Sequence, residues 1–108
     1  MARRLLALAA LASWLCAGAA FAAQPKVAEI VLDKLAFGPA PAGLRVGDKV
    51  RWINRDIFRH SATADDHSFD VDLPPGGRGE VVLKRAGTIV YTCRYHPGMK
   101  GQLVVRRR

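Results

Sequence analysis

Short runs of β-branched and aromatic residues, broken every few positions by Gly, Pro or Asp, predict an all-β fold, a small β-sandwich of one domain. Beyond the N-terminal segment no stretch keeps an apolar period of 3.6 residues, so helices are not expected. Where apolar residues recur they alternate with polar ones, as in Lys49-Val50-Arg51-Trp52-Ile53-Asn54, the pattern of a strand with one buried face. The breaks are strong, above all Pro74-Pro75-Gly76-Gly77.

The chain of 108 residues opens on a segment that does not fit this pattern. Met1-Ala2-Arg3-Arg4 is basic, Leu5 to Ala20 is apolar except for Ser13, and Ala20-Phe21-Ala22 offers small residues at the two positions a signal peptidase reads. Residues 1–22 therefore read as a secretory signal peptide that is cleaved, and 23–108 as the folded domain. The apolar run is slightly short for a membrane span and no stop-transfer pattern follows, so no membrane insertion is expected after cleavage. Cys16 lacks the small preceding residue expected beside a lipidated cysteine.

Along the domain, Val27–Leu32 reads as the first strand, and Ala36 to Gly43, with two prolines and two glycines, as an irregular connection. Arg45-Val46 leads into a tight turn at Gly47-Asp48, and Lys49–Asn54 follows with Val50 and Trp52 facing the core. The polar stretch from Arg55 to Asp72 carries weaker strand signals around Ser61–Thr63 and Phe69–Val71. Glu80–Leu83, Thr88–Cys93 and Gln102–Val105 complete the set, with Ile89, Tyr91 and Cys93 sharing one face.

A domain this small has a marginal core, so a disulfide or a metal should help to hold it. Cleavage removes Cys16, and Cys93 is left alone, which excludes a disulfide within the mature chain. An unpaired thiol is unusual in an oxidising compartment, and coordination to a metal would protect it. Charge narrows the partners. Seventeen Lys and Arg stand against nine Asp and Glu, and loss of Arg3 and Arg4 leaves fifteen against nine, +6. Such a protein attracts acidic partners, while scattered basic residues and export argue against nucleic acid. The one dense run, Arg106-Arg107-Arg108, reads as a solvated end.

The chemistry concentrates in Tyr91-Thr92-Cys93-Arg94-Tyr95-His96-Pro97-Gly98-Met99-Lys100-Gly101. Cys93, His96 and Met99 follow one another at spacings of three, with Gly98 and Gly101 expected to let the backbone turn. A thiolate, an imidazole and a thioether form a soft donor set that suits one copper ion able to pass between Cu(I) and Cu(II). His60 is the candidate fourth ligand, and Met99, in a tight polar loop with little core to fill, reads as the axial one. Zinc is a poorer match because Met is a poor zinc ligand. His67, in Asp65-Asp66-His67-Ser68, reads as solvent-exposed loop, with a second weaker metal site as the other reading.

The whole mature chain resembles the cupredoxins, the blue copper proteins of the plastocyanin, pseudoazurin and amicyanin group. The resemblance runs through Val50–Asn54, Phe69-Asp70, Pro75-Gly76, Gly87-Thr88 and Tyr91-Thr92-Cys93, and Cys93-x-x-His96-Pro97-x-Met99 looks like the short ligand loop of amicyanins. It implies a Greek-key β-sandwich, a type 1 copper bound by His60, Cys93, His96 and Met99, and a monomer. Ser61 stands where the family commonly has Asn, and Arg94-Tyr95 replaces the usual Thr-Pro or Ser-Pro. With every metal position filled by protein, no open site is left for substrate, so the chain is not expected to be an enzyme.

The resemblance further implies a periplasmic one-electron carrier in which His96 is the port, ringed by Pro97, Met99 and Pro39, Ala40, Pro41 and Pro75. Arg94, Pro97 and Lys100 become partner-binding candidates toward redox proteins with an acidic surface, a c-type cytochrome or a periplasmic dehydrogenase. The motif reports coordination rather than the fate of the metal, so copper resistance, storage or delivery stands as the alternative function.

Overall fold

The computed structural model describes residues 9–13 and 24–108, so the leader expected over 1–22, Cys16 included, lies outside the described residues apart from 9–13. Nine strands follow in the order β1 (Val27–Asp33), β2 (Ala36–Phe37), β3 (Leu44–Arg45), β4 (Lys49–Asn54), β5 (His60–Ala64), β6 (Asp70–Leu73), β7 (Arg78–Val82), β8 (Gly87–Thr92) and β9 (Lys100–Arg106). They form two sheets, one in the order β2-β1-β4-β7 and the other β3-β9-β8-β5-β6. β1 runs parallel to β4 and β3 parallel to β9, and the remaining pairs are antiparallel. The chain changes sheet five times, on entering and leaving β3, between β4 and β5, between β6 and β7, and between β7 and β8, giving the expected Greek-key sandwich.

Alternation decides which side chains enter the core. Val50, Trp52 and Asn54 point inward from β4, Ile30 and Leu32 from β1, Ile89 and Tyr91 from β8, and Leu103 and Val105 from β9. The centre is aromatic: the Trp52 ring lies 5.5 Å from Tyr91 and 5.2 Å from Phe69, and Phe37 meets Tyr91 edge-on at 4.7 Å. Burial pushes the Tyr91 hydroxyl above its ordinary pKa.

Gly101 pairs directly with Tyr91 across β8 and β9, and a Cβ at Gly101 would collide with the tyrosine ring. Its role is therefore room rather than turning. Neither Gly98 nor Gly101 has a positive φ, which corrects the expectation drawn from the sequence.

The segment expected to be irregular opens with a short strand, β2, which forms a hairpin with β1. Asp33 and Ala36 pair through a two-residue turn in which Lys34 and Leu35 take φ of 52° and 60°. Two left-handed residues match the twist of the flanking strands, but Lys-Leu carries no Gly or Asn to announce it. β7 also begins two residues earlier than expected, at Arg78, where Gly79 faces Trp52 and makes room for Val71.

The register assigns the two ends of the sandwich. Asn54 pairs with Leu32, and its buried amide donates to the carbonyls of Phe58 (2.8 Å), Leu73 (2.9 Å) and Pro74 (3.3 Å), closing the end that carries His60. At the opposite end Lys49 pairs with Val27 and Val82. There the buried Asp48 accepts the N–H groups of Lys26 (3.1 Å) and Arg45 (2.9 Å) and the Arg108 guanidinium. Burial opposes ionisation of Asp48, but those donors outweigh it and hold the carboxyl below its ordinary value.

Candidate metal centre

Each ligand candidate arrives from a different local cause. β8 delivers Cys93 to the end of the core, because the inward alternation of Ile89 and Tyr91 continues to it. A turn then folds back tightly: His96 N–H donates to the Cys93 carbonyl at 3.3 Å and Met99 N–H to the His96 carbonyl at 2.9 Å. Cys93 N–H donates to the Met99 carbonyl at 3.1 Å, which closes the loop. His60 opens β5 in the neighbouring position and is fully buried, 0% exposed, beside Cys93 at 1%.

The Cys93 Sγ lies 3.7 Å from Nδ1 of His60 and 3.7 Å from Nδ1 of His96. All three donor atoms fall within 4.8 Å of one another. Metal–ligand bonds of about 2.0–2.3 Å meeting at trigonal angles would place neighbouring donors roughly 3.5–4.0 Å apart, and both sulfur–nitrogen edges match that spacing. Met99 is buried at 5% and joins the core cluster, which corrects both the reading that it had little core to fill and its place in an exposed ring. The His60 and His96 rings meet edge-on at 4.9 Å, with His96 the more exposed.

The residues behind the donors fix their chemistry. Nε2 of His60 faces Oδ2 of Asp56 at 2.9 Å, so the ring donates its Nε2 proton and turns the Nδ1 lone pair toward Cys93. That hydrogen bond from His60, joined by the N–H of Leu35, holds the Asp56 carboxyl below its ordinary value. Asn54 fixes Asp56 in turn, accepting its N–H at 2.9 Å. The Ser61 N–H points at the Cys93 sulfur at 3.4 Å, which holds the sulfur in place.

Ser61 also ties the two ligand loops together. Arg94 N–H donates to its hydroxyl at 2.9 Å, the hydroxyl meets Thr63 at 2.9 Å, and Thr63 donates to Asp70 at 2.9 Å. Arg94 closes the ring with its guanidinium 3.0 Å from Asp70. Arg59 and Arg94 each lie 5.4 Å from the centre of the Tyr95 ring, and Arg59 is paired with Asp72, whose carboxyl it holds down. Arg94 is thus spent within the protein, whereas Lys100 is exposed and makes no ion pair among the described residues.

Pro97 is exposed in the turn after His96. Beside His96 stands Phe58, its ring 6.0 Å away, with Ile57 next to it 81% exposed; neither was expected from the sequence. Ala40 and Pro41 line a groove along β9 with Gln102 and Val104. His67 takes a left-handed φ of 64° in the loop after β5, while its neighbour Asp66 is engaged by Arg85. Among the described residues, His60, Cys93 and His96 are the group of three His, Cys, Asp or Glu donors close enough to share an ion.

Comparison with known proteins points the same way. A family model described as a cupredoxin-like domain matches residues 5–105. Amicyanin from Paracoccus denitrificans is 32% identical over 101 residues, an alignment covering 78% of this chain and 70% of that protein. Among solved structures, a reduced amicyanin point mutant superposes with a TM-score of 0.65 at 26% identity, covering 74% of this chain and 82% of its own. A purple cupredoxin from Nitrosopumilus maritimus gives a TM-score of 0.60 at 26% identity, over 72% of this chain and 98% of its own.

Proposed function

The chain belongs to the cupredoxin-like family, and from that premise we propose that it is a periplasmic one-electron carrier with His60, Cys93, His96 and Met99 as the ligands of one copper ion. Members of the family carry electrons rather than catalyse reactions. The observation that carries this reading is the triangle of one thiol and two Nδ1 atoms, closed by hydrogen bonds and sealed at the end of the core. Bound there, copper supplies a couple between Cu(I) and Cu(II) with little rearrangement of the site.

The protein's own residues do the rest. Asp56 orients His60, the Ser61 N–H steadies the Cys93 sulfur, and burial of Cys93, His60 and Met99 keeps bulk water from the donors. His96 reaches the surface between Phe58 and Pro97, where an electron can pass to a docked partner. A sealed donor set favours a carrier over a delivery protein, which must release its metal to a partner. Partners are redox proteins, and exposed Lys100 beside the port favours one with an acidic rim, such as a c-type cytochrome or a periplasmic dehydrogenase.

The test is the visible spectrum of the copper-loaded protein. Oxidised wild type should show an intense thiolate-to-copper band near roughly 600 nm, bleach and recover on redox cycling, and resist chelators. Cys93→Ser should lose the band altogether. A wild type without that band would sink the proposal.

A further inference from the structure

We propose that the end of the sandwich opposite the metal centre is a docking face for an anionic phospholipid surface, on which the protein lies with His96 directed away. The register gathers Lys26, Arg45, Lys49, Lys84, Arg106 and Arg107 at that end, all exposed. The acidic groups nearby offset little of this charge. Asp48 is buried under its own donors, Asp66 is taken by Arg85, and Lys49 only grazes Glu80 at 4.0 Å. At the metal end, by contrast, Asp70 and Asp72 neutralise Arg94 and Arg59. Lys34, Arg55 and Lys100 are exposed at the metal end as well, but fewer unpaired cations gather there than at the far end.

The form of this face favours lipid over an acidic protein. Its cations come from the ends of several strands with no apolar centre between them, and its exposed apolar residues are single valines, Val27 and Val82, flanking Lys49 across three adjacent strands. A protein partner wants an apolar centre with charges around it. A headgroup layer asks for spread positive charge with a few small apolar contacts, and the field acts within a Debye length of the surface. The direction of His96 rests on the copper reading, but binding does not, so apoprotein should bind equally well.

The experiment is co-sedimentation of the exported protein with vesicles of phosphatidylcholine, with and without phosphatidylglycerol. Binding is expected only with the anionic lipid, and about 0.5 M salt should release it. Arg106→Glu/Arg107→Glu should weaken binding on the order of a hundredfold or more, since each basic residue at the surface contributes about fivefold. The variant Lys34→Glu/Arg55→Glu, with the same net charge but altered at the metal end, should stay within about threefold of wild type. Native absorption and unfolding curves confirm that each variant is folded. Equal binding to neutral vesicles, equal loss in the two variants, or tighter binding to poly-aspartate than to anionic vesicles would each overturn the proposal, the last in favour of an acidic protein.

Discussion

At the metal end Arg59 and Arg94 are held by Asp72 and Asp70 with a tyrosine between them, whereas at the opposite end the side chains of Lys26, Arg45, Arg106 and Arg107 make no ion pair among the described residues. Both ends carry a buried or nearly buried aspartate that accepts backbone N–H groups, yet the two do different work. Asp56 fixes the His60 imidazole; Asp48 clamps the approaches to β1 and β4. One end uses its charges to hold atoms still, and the other leaves its charges facing solvent.

The largest effect should come from the core both ends share. Tyr91→Ala removes a ring packed on Trp52, Phe37 and the space over Gly101, and should cost about 3–5 kcal/mol in urea unfolding. A loss below about 1 kcal/mol would mean that the ends do not depend on a common core.

Next comes the division between the two aspartates. Asp56→Asn should lower copper affinity about 10–100-fold in a chelator competition, because His60 loses its carboxylate partner. Asp48→Asn should leave that affinity unchanged, and equal losses would erase the contrast.

Asp48 should instead appear in the acid limb of stability. Its folded carboxyl lies below the ordinary 3.8, so its contribution is complete above that pH and is lost as the pH falls beneath it. Wild type should therefore exceed Asp48→Asn in urea midpoint at neutral pH, with the gap closing toward about pH 2. A gap that persists in acid would show that the clamp does not work through its charge.

The smallest effect concerns steering. Lys100→Glu should slow association with an acidic redox partner a few-fold, in a salt-dependent way, and more than Arg94→Gln does. The reverse order in stopped-flow rates would show that the Asp70 pair leaves Arg94 available.

The fold and the clustering of the candidate donors were largely legible because both depend on local pattern. Alternation in Lys49–Asn54 and Thr88–Cys93 placed Trp52, Tyr91 and Cys93 inward, and the spacing of Cys93, His96 and Met99 marked one loop as the donor set. The β1–β2 turn was missed because Lys34 and Leu35 carry no turn signature. Asp56 was missed too, although an acidic residue in a polar loop four positions before His60 was the available signal. Phe58 and Ile57 gave none, since exposed apolar residues in a loop look alike wherever the loop lies.

The sequence by itself determined a β-sandwich with a loop of soft donors, because period, turn chemistry and donor spacing are local properties of the chain. Tertiary structure decided which charges cancel. Arg94 and Asp70 are far apart in sequence and meet only because β5, β6 and β8 share a sheet. Coulomb energy depends on distance in space, so basic residues that read as scattered in the sequence gather more densely at one end in the fold.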